Sequence, residues 1–149
     1  MFKTKCCMGI DEAGRGPVLG PMVYSAVVCP KSRLQDLKQM GCNDSKQLTP
    51  ETRDQMLVSI RSAEFLKDYT EVLTAKYLSE MMLRRSKVSL NKISHDAAIE
   101  LVRRAMEDGV NVDELYVDTV GDPEQYRSKF VAAFPSISTV VVAKKADAI

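Results

Sequence analysis

Gly9-Ile10-Asp11-Glu12-Ala13-Gly14-Arg15-Gly16-Pro17-Val18-Leu19-Gly20-Pro21 is the stretch around which the chain is read. Two adjacent carboxylates end a short apolar run, and a glycine-flanked arginine follows at once. Neighbouring side chains on a strand point to opposite faces. Asp11 and Glu12 are therefore expected to share a site only where the strand loses regularity. Gly14 and Gly16 supply that freedom and leave backbone N–H groups bare. Carboxylates call for a cation, and bare N–H groups suit an anion or an oxygen. A metal-dependent site for a phosphate ester fits these residues. So does an ordinary strand with an acidic edge and a tight turn, because short glycine motifs are weak signals.

Working outward, 149 residues suit a single domain. An apolar fraction of 45% is enough for a buried core. A net charge of +1 gives no bulk attraction to nucleic acid, so any such binding must rest on local basic groups. The four cysteines (Cys6, Cys7, Cys29, Cys42) lack zinc-like spacing, and Cys6 and Cys7 read as small core residues. No signal peptide or long apolar span is evident, which points to a reducing interior such as the cytoplasm and to no membrane partner.

Residues 5–11 read as a buried strand and Val18–Cys29 as a second, closed by Pro30. The link between them is too short for a helical crossover, so the pair is expected to be antiparallel. Leu34, Leu37 and Met40 suggest a short helix. Thr49-Pro50-Glu51 is a helix start, with Met56, Leu57 and Ile60 as its apolar stripe. Asp68–Leu73 reads as a third strand, and Lys76–Arg85 as a helix through Leu78, Met81 and Met82. From about Asn91 to Asp108, residues Leu90, Ile93, Ala97, Leu101, Val102, Ala105 and Met106 recur at helical spacing. Gly109 stops that helix. Glu114–Asp118 and Ser138–Ala143 read as strands. Asp122-Pro123 opens a helix between them with Tyr126, Phe130 and Val131 inward. Alternating strands and helices predict an α/β domain with a mixed sheet.

Three apolar runs end at or near an aspartate: Ile10 into Asp11, Val117 into Asp118, and Val140-Val141-Val142 shortly before Asp147. Ligands gather at the carboxyl ends of parallel strands. If these strands are neighbours, their acids converge beside Glu12. Four such carboxylates repel unless cations lie among them, and hard oxygen ligands suit Mg²⁺ or Mn²⁺. Two metals roughly 4 Å apart would activate a water and stabilise a leaving oxygen. Taken singly, Asp118 reads equally as a turn cap and Asp147 as a solvated residue. Arg84, Arg85 and Lys87 read as a solvated face, Lys144 and Lys145 as flanking charge, and His95 as structural.

The runs GIDEAGRGPVLGPMVY, NDSK, LNKISHDAA, VDTVG and KADA together resemble the catalytic A subunit of type 2 ribonuclease H, in its eukaryotic form. The resemblance covers essentially the whole chain in order. It implies the ribonuclease H-like fold, a mixed five-stranded sheet flanked by helices. It implies that Asp11, Glu12, Asp118 and Asp147 bind a two-metal centre of Mg²⁺ or Mn²⁺. It implies that Gly14, Arg15 and Gly16 read a ribose 2′-OH at a ribonucleotide–deoxyribonucleotide junction, and that Lys46 holds substrate phosphate. The implied reaction is hydrolysis of the RNA strand of RNA/DNA hybrids, with cutting 5′ to single ribonucleotides in duplex DNA, leaving a 3′-hydroxyl and a 5′-phosphate. The implied setting is DNA replication and repair in the nucleus, with B and C subunits as partners. In the family the chain continues past the fourth acid, and the continuation carries the surface that meets those subunits. A chain stopping at Ile149 is expected to lack it. The alternative is a catalytically inactive nucleic-acid-binding or assembly module.

Overall fold

The computed structural model describes residues 1–15, 20–42 and 45–144. Five strands form one mixed sheet: β1 (Cys6–Ala13), β2 (Met22–Pro30), β3 (Lys67–Leu73), β4 (Val112–Asp118) and β5 (Thr139–Ala143). Their order is β3-β2-β1-β4-β5. β1 pairs antiparallel with β2, and β2 with β3, while β1–β4 and β4–β5 are parallel. The expected antiparallel first pair and mixed sheet are thus present. The helices are α1 (Leu34–Gln39), α2 (Pro50–Ser62), α3 (Ala75–Met82), α4 (Leu90–Glu107) and α5 (Pro123–Ala133).

Alternation along the strands sets the layers. Cys6, Met8 and Ile10 of β1, Met22, Tyr24, Ala26 and Val28 of β2, and Leu115 and Val117 of β4 all point to one buried face. The stripe of α4 covers it, with Ile93, Ala97, Leu101, Val102 and Ala105 buried, and Tyr126 and Phe130 of α5 complete the core. Ser89 starts α4 by accepting the Lys92 N–H at 3.1 Å, and Asp122 starts α5 by accepting the Glu124 N–H at 3.0 Å. Arg104 of α4 donates to Glu71 of β3 at 2.7 Å, tying the helix to the far strand.

Several expectations shift. β1 runs two residues further than expected, through Ala13, because pairing with β2 continues to Ala13↔Val23. β2 begins at Met22 rather than Val18, which lies outside the described residues. Cys7 is only half-buried, since alternation turns it to the face opposite Cys6. Val131 is 43% exposed: one position past Phe130, it has rotated about 100° away from the sheet. Met82 is exposed for the same reason beside the half-buried Met81, and α2 buries none of its residues fully. No helix among the described residues is long and apolar enough to cross a membrane.

Leu101→Ala, at a fully buried position of α4, should cost about 2–5 kcal/mol in denaturant unfolding. Leu83→Ala, 80% exposed just past α3, should stay within about 0.5 kcal/mol.

Candidate metal centre

The site stands where β1 and β4 end. Their last parallel pair is Ile10↔Val117, so the next residues on each strand are Asp11 and Asp118. In-register residues of adjacent strands share a face, so these two carboxylates lie side by side. They border a hollow of about 240 Å³ over the open face of the sheet, with Gly9, Ser25, Val27 and Tyr116 around it. Glu12 alternates to the buried side, opposite Tyr24. It also lies past the last β1–β4 pair, on a strand end held only by β2. Its longer side chain reaches the same place. One carboxylate oxygen from each of Asp11, Glu12 and Asp118 lies within 4.8 Å of the others.

The two adjacent acids therefore meet without the glycine-driven irregularity expected of them. The antiparallel pairing is regular through both, and the Glu12 N–H donates to Asp11 Oδ1 at 2.8 Å. Gly14 acts one step later. Its φ of +81° lies in the left-handed region, and a Cβ there would fall 2.4 Å from the Pro21 carbonyl oxygen. Only glycine lets the chain turn out of β1 against that backbone.

Arg15 turns its guanidinium toward the first turns of α4. It donates to Ser94 Oγ at 2.7 Å and to Asn91 Oδ1. Neither partner stood out in the sequence, although their i, i+3 spacing just after the Ser89 cap places them together on the end of α4 nearest the loop. The opposite side of the Asn91 amide lies against Gly121, where a Cβ would fall 2.8 Å from Nδ2. His95, next on α4, is buried and bonded to the Val120 carbonyl.

The electrostatics match crowding of like charge. Burial, first, then the charge of Asp11 and a hydrogen bond to it, then the charge of Asp118, push the Glu12 carboxyl up to about 7, with Arg15 opposing. Among the described residues, Glu12 Oε2 is buried with no hydrogen-bond partner. An orphaned carboxylate oxygen among three gathered carboxylates is what a hard divalent cation satisfies. These residues fit a hard divalent cation held by oxygen ligands.

Other expected site residues stand differently. Gly16 and Asp147 lie outside the described residues, as do Asn43 and Asp44 of the loop before Lys46. Lys46 is exposed on a single 3-10 turn, Ser45–Gln47, and does not line the hollow. Arg84, Arg85 and Lys87 are exposed beyond α3. Lys144 is exposed just past β5, and Lys145 is not among the described residues.

Glu12 has its folded value near 7 and an ordinary value of 4.5. A raised acid destabilises the fold as pH climbs from the ordinary value to the folded one. The metal-free chain should therefore lose of the order of 1–2 kcal/mol between pH 4.5 and 7, after discounting for a half-buried group. Glu12→Gln should abolish that loss, so its melting temperature should exceed the parent's at pH 8 and match it near pH 4.5. Gly14→Ala should cost at least about 1–2 kcal/mol by forcing the loop off the Pro21 carbonyl, as read by urea unfolding.

The profile of the ribonuclease HII family matches residues 8–149. The chain is 50% identical over 143 residues to the A subunit of ribonuclease H2 from Dictyostelium discoideum, covering 95% of this chain and 50% of that protein. It is 44% identical over 147 residues to the A subunit of ribonuclease H2 from Homo sapiens, covering 99% of this chain and 49% of that one. The crystal structure of the ribonuclease H2 from Pyrococcus horikoshii OT3 is similar at a TM-score of 0.78 and 31% identity, over 96% of this chain and 64% of that one. The chain spans about half the length of the curated relatives it matches. With a family profile that matches residues 8–149 and a relative identical at half of the aligned positions, the chain belongs to the ribonuclease HII family.

Proposed function

We propose that this chain is an endoribonuclease that hydrolyses the RNA strand of RNA/DNA hybrids and cuts 5′ to a single ribonucleotide in duplex DNA, leaving a 3′-hydroxyl and a 5′-phosphate. One observation carries the proposal: three carboxylates from the ends of two parallel strands bring oxygens within 4.8 Å of one another. Asp11, Glu12 and Asp118 would hold divalent cations, Mg²⁺ or Mn²⁺, with Asp147 as a fourth ligand. Such cations supply a nucleophilic water at neutral pH and offset the charge that builds on the phosphate.

The chain's own residues orient and select. Asp11 and Asp118 are fixed by strand register and need no rearrangement to act together. Glu12, whose carboxyl is pushed up to about 7, would hold a cation as the carboxylate. Arg15 rests against Ser94 of α4, and backbone N–H groups of the Gly14, Arg15 and Gly16 segment would contact a ribose 2′-OH. That hydroxyl separates RNA from DNA at a junction. Lys46 would hold substrate phosphate through its ammonium. The eukaryotic relatives are each the A subunit of their enzyme. Partner subunits, B and C, therefore belong to the proposal.

The purified chain, given duplex DNA with one ribonucleotide in Mg²⁺ and then Mn²⁺, should cut 5′ to the ribonucleotide. Asp118→Asn should abolish cutting while hybrid affinity stays within about threefold. Hybrid binding without cutting by the parent in either metal would replace the nuclease with a non-catalytic binding module.

A further inference from the structure

His95, the only histidine of the chain, is buried at 5% exposure on α4 and has no part in the carboxylate cluster. Its ring stacks on Tyr126 of α5, with centroids 3.9 Å apart and planes 13° from parallel. Nε2 lies 2.9 Å from the Val120 carbonyl oxygen, and Nδ1 lies 2.8 Å from Lys129 Nζ. A carbonyl only accepts, so Nε2 must carry the proton. An ammonium only donates, so Nδ1 must offer its lone pair. Both neighbours specify one neutral tautomer. Imidazolium would set Nδ1–H against the ammonium, and the other tautomer would fail at both ends.

Val120 is two residues past Asp118, in the turn between β4 and α5. The rest of that turn is anchored independently. The Thr119 N–H donates to the Ala143 carbonyl at 3.1 Å, Gly121 lies against Asn91, and Asp122 caps α5. His95 holds the carbonyl of Val120. We propose that His95, locked by Lys129 into its Nε2–H form, is a positioning residue that fixes the turn leaving β4 and so aims Asp118 into the carboxylate cluster. Its catalytic consequence rests on the nuclease reading above. Its structural content does not.

A single histidine makes the tautomer directly readable. In the ¹⁵N-labelled full chain at pH 7, the ring should show a protonated Nε2 and an unprotonated Nδ1. Lys129→Met should move the Nδ1 resonance toward that of a mixed tautomer and shift the Thr119 and Gly121 amides. A charged ring or an Nδ1–H form in the parent overturns the proposal, as does Lys129→Met leaving those amides unmoved. In hybrid cutting, His95→Ala should lower kcat about tenfold with KM within about twofold. His95→Gln, which restores a donor near the Nε2 position, should regain most of that loss. Equal losses in both variants, tracking melting temperature alone, would reduce His95 to a packing residue. If the parent cuts nothing, the nuclease reading fails and the ring and amide resonances alone decide the positioning role.

Discussion

The parallel pairing of β1 with β4 is the constraint on which the rest depends. It sits at the centre of the sheet, and its register sets Asp11 beside Asp118. That juxtaposition is unfavourable in itself. Two carboxylates about 4 Å apart near a surface repel by a few kcal/mol. The opposite side of the same pairing supplies the compensation, because Met8, Ile10, Leu115 and Val117 are all at most 4% exposed. Each such side chain contributes about 1.5–3 kcal/mol on burial. The apolar face of the two strands holds the acidic ends together.

Helix α4 extends this logic from the core to the site. Its apolar stripe packs on the sheet, and its first turns carry Asn91, Ser94 and His95 at the edge of that stripe. Asn91 and Ser94 take the guanidinium of Arg15, while His95 takes the carbonyl of Val120. One rigid element thereby holds both segments that flank the acids. A loop fixed from a packed helix is a more exact scaffold than one fixed by its own turn residues.

The strands, the long helix, the antiparallel first pair and the acids at strand ends were legible because each rests on a local signal. Apolar runs mark β1 and β4, helical spacing marks α4, and Thr49 and Asp122 mark helix starts. What was not legible depends on depth and direction. Val131 and Met82 sit one position from an inward residue, and composition alone does not say how wide the buried stripe is. Cys7 looks like Cys6 until the sheet assigns them opposite faces. The meeting of Asp11 with Glu12 was expected from glycine, yet it arises because β4 stops pairing before β1 does. Asn91 and Ser94 carried no signal of their own, since an amide and a hydroxyl on a helix are ordinary until an arginine finds them.

The sheet order also has a kinetic meaning. β2 follows β1 and pairs with it through a short connection, so that antiparallel contact closes early and at low entropic cost. β1 and β4 lie roughly a hundred residues apart along the chain, and their parallel contact is the kind that slows folding. The carboxylates are brought together only by that late step. A partly folded chain with β1, β2 and β3 already joined would carry Asp11 and Glu12 without Asp118 beside them. Assembly of the cluster thus requires that long-range pairing, and the chain does not bring Asp11, Glu12 and Asp118 together for a cation or a nucleic acid before its central strands have met.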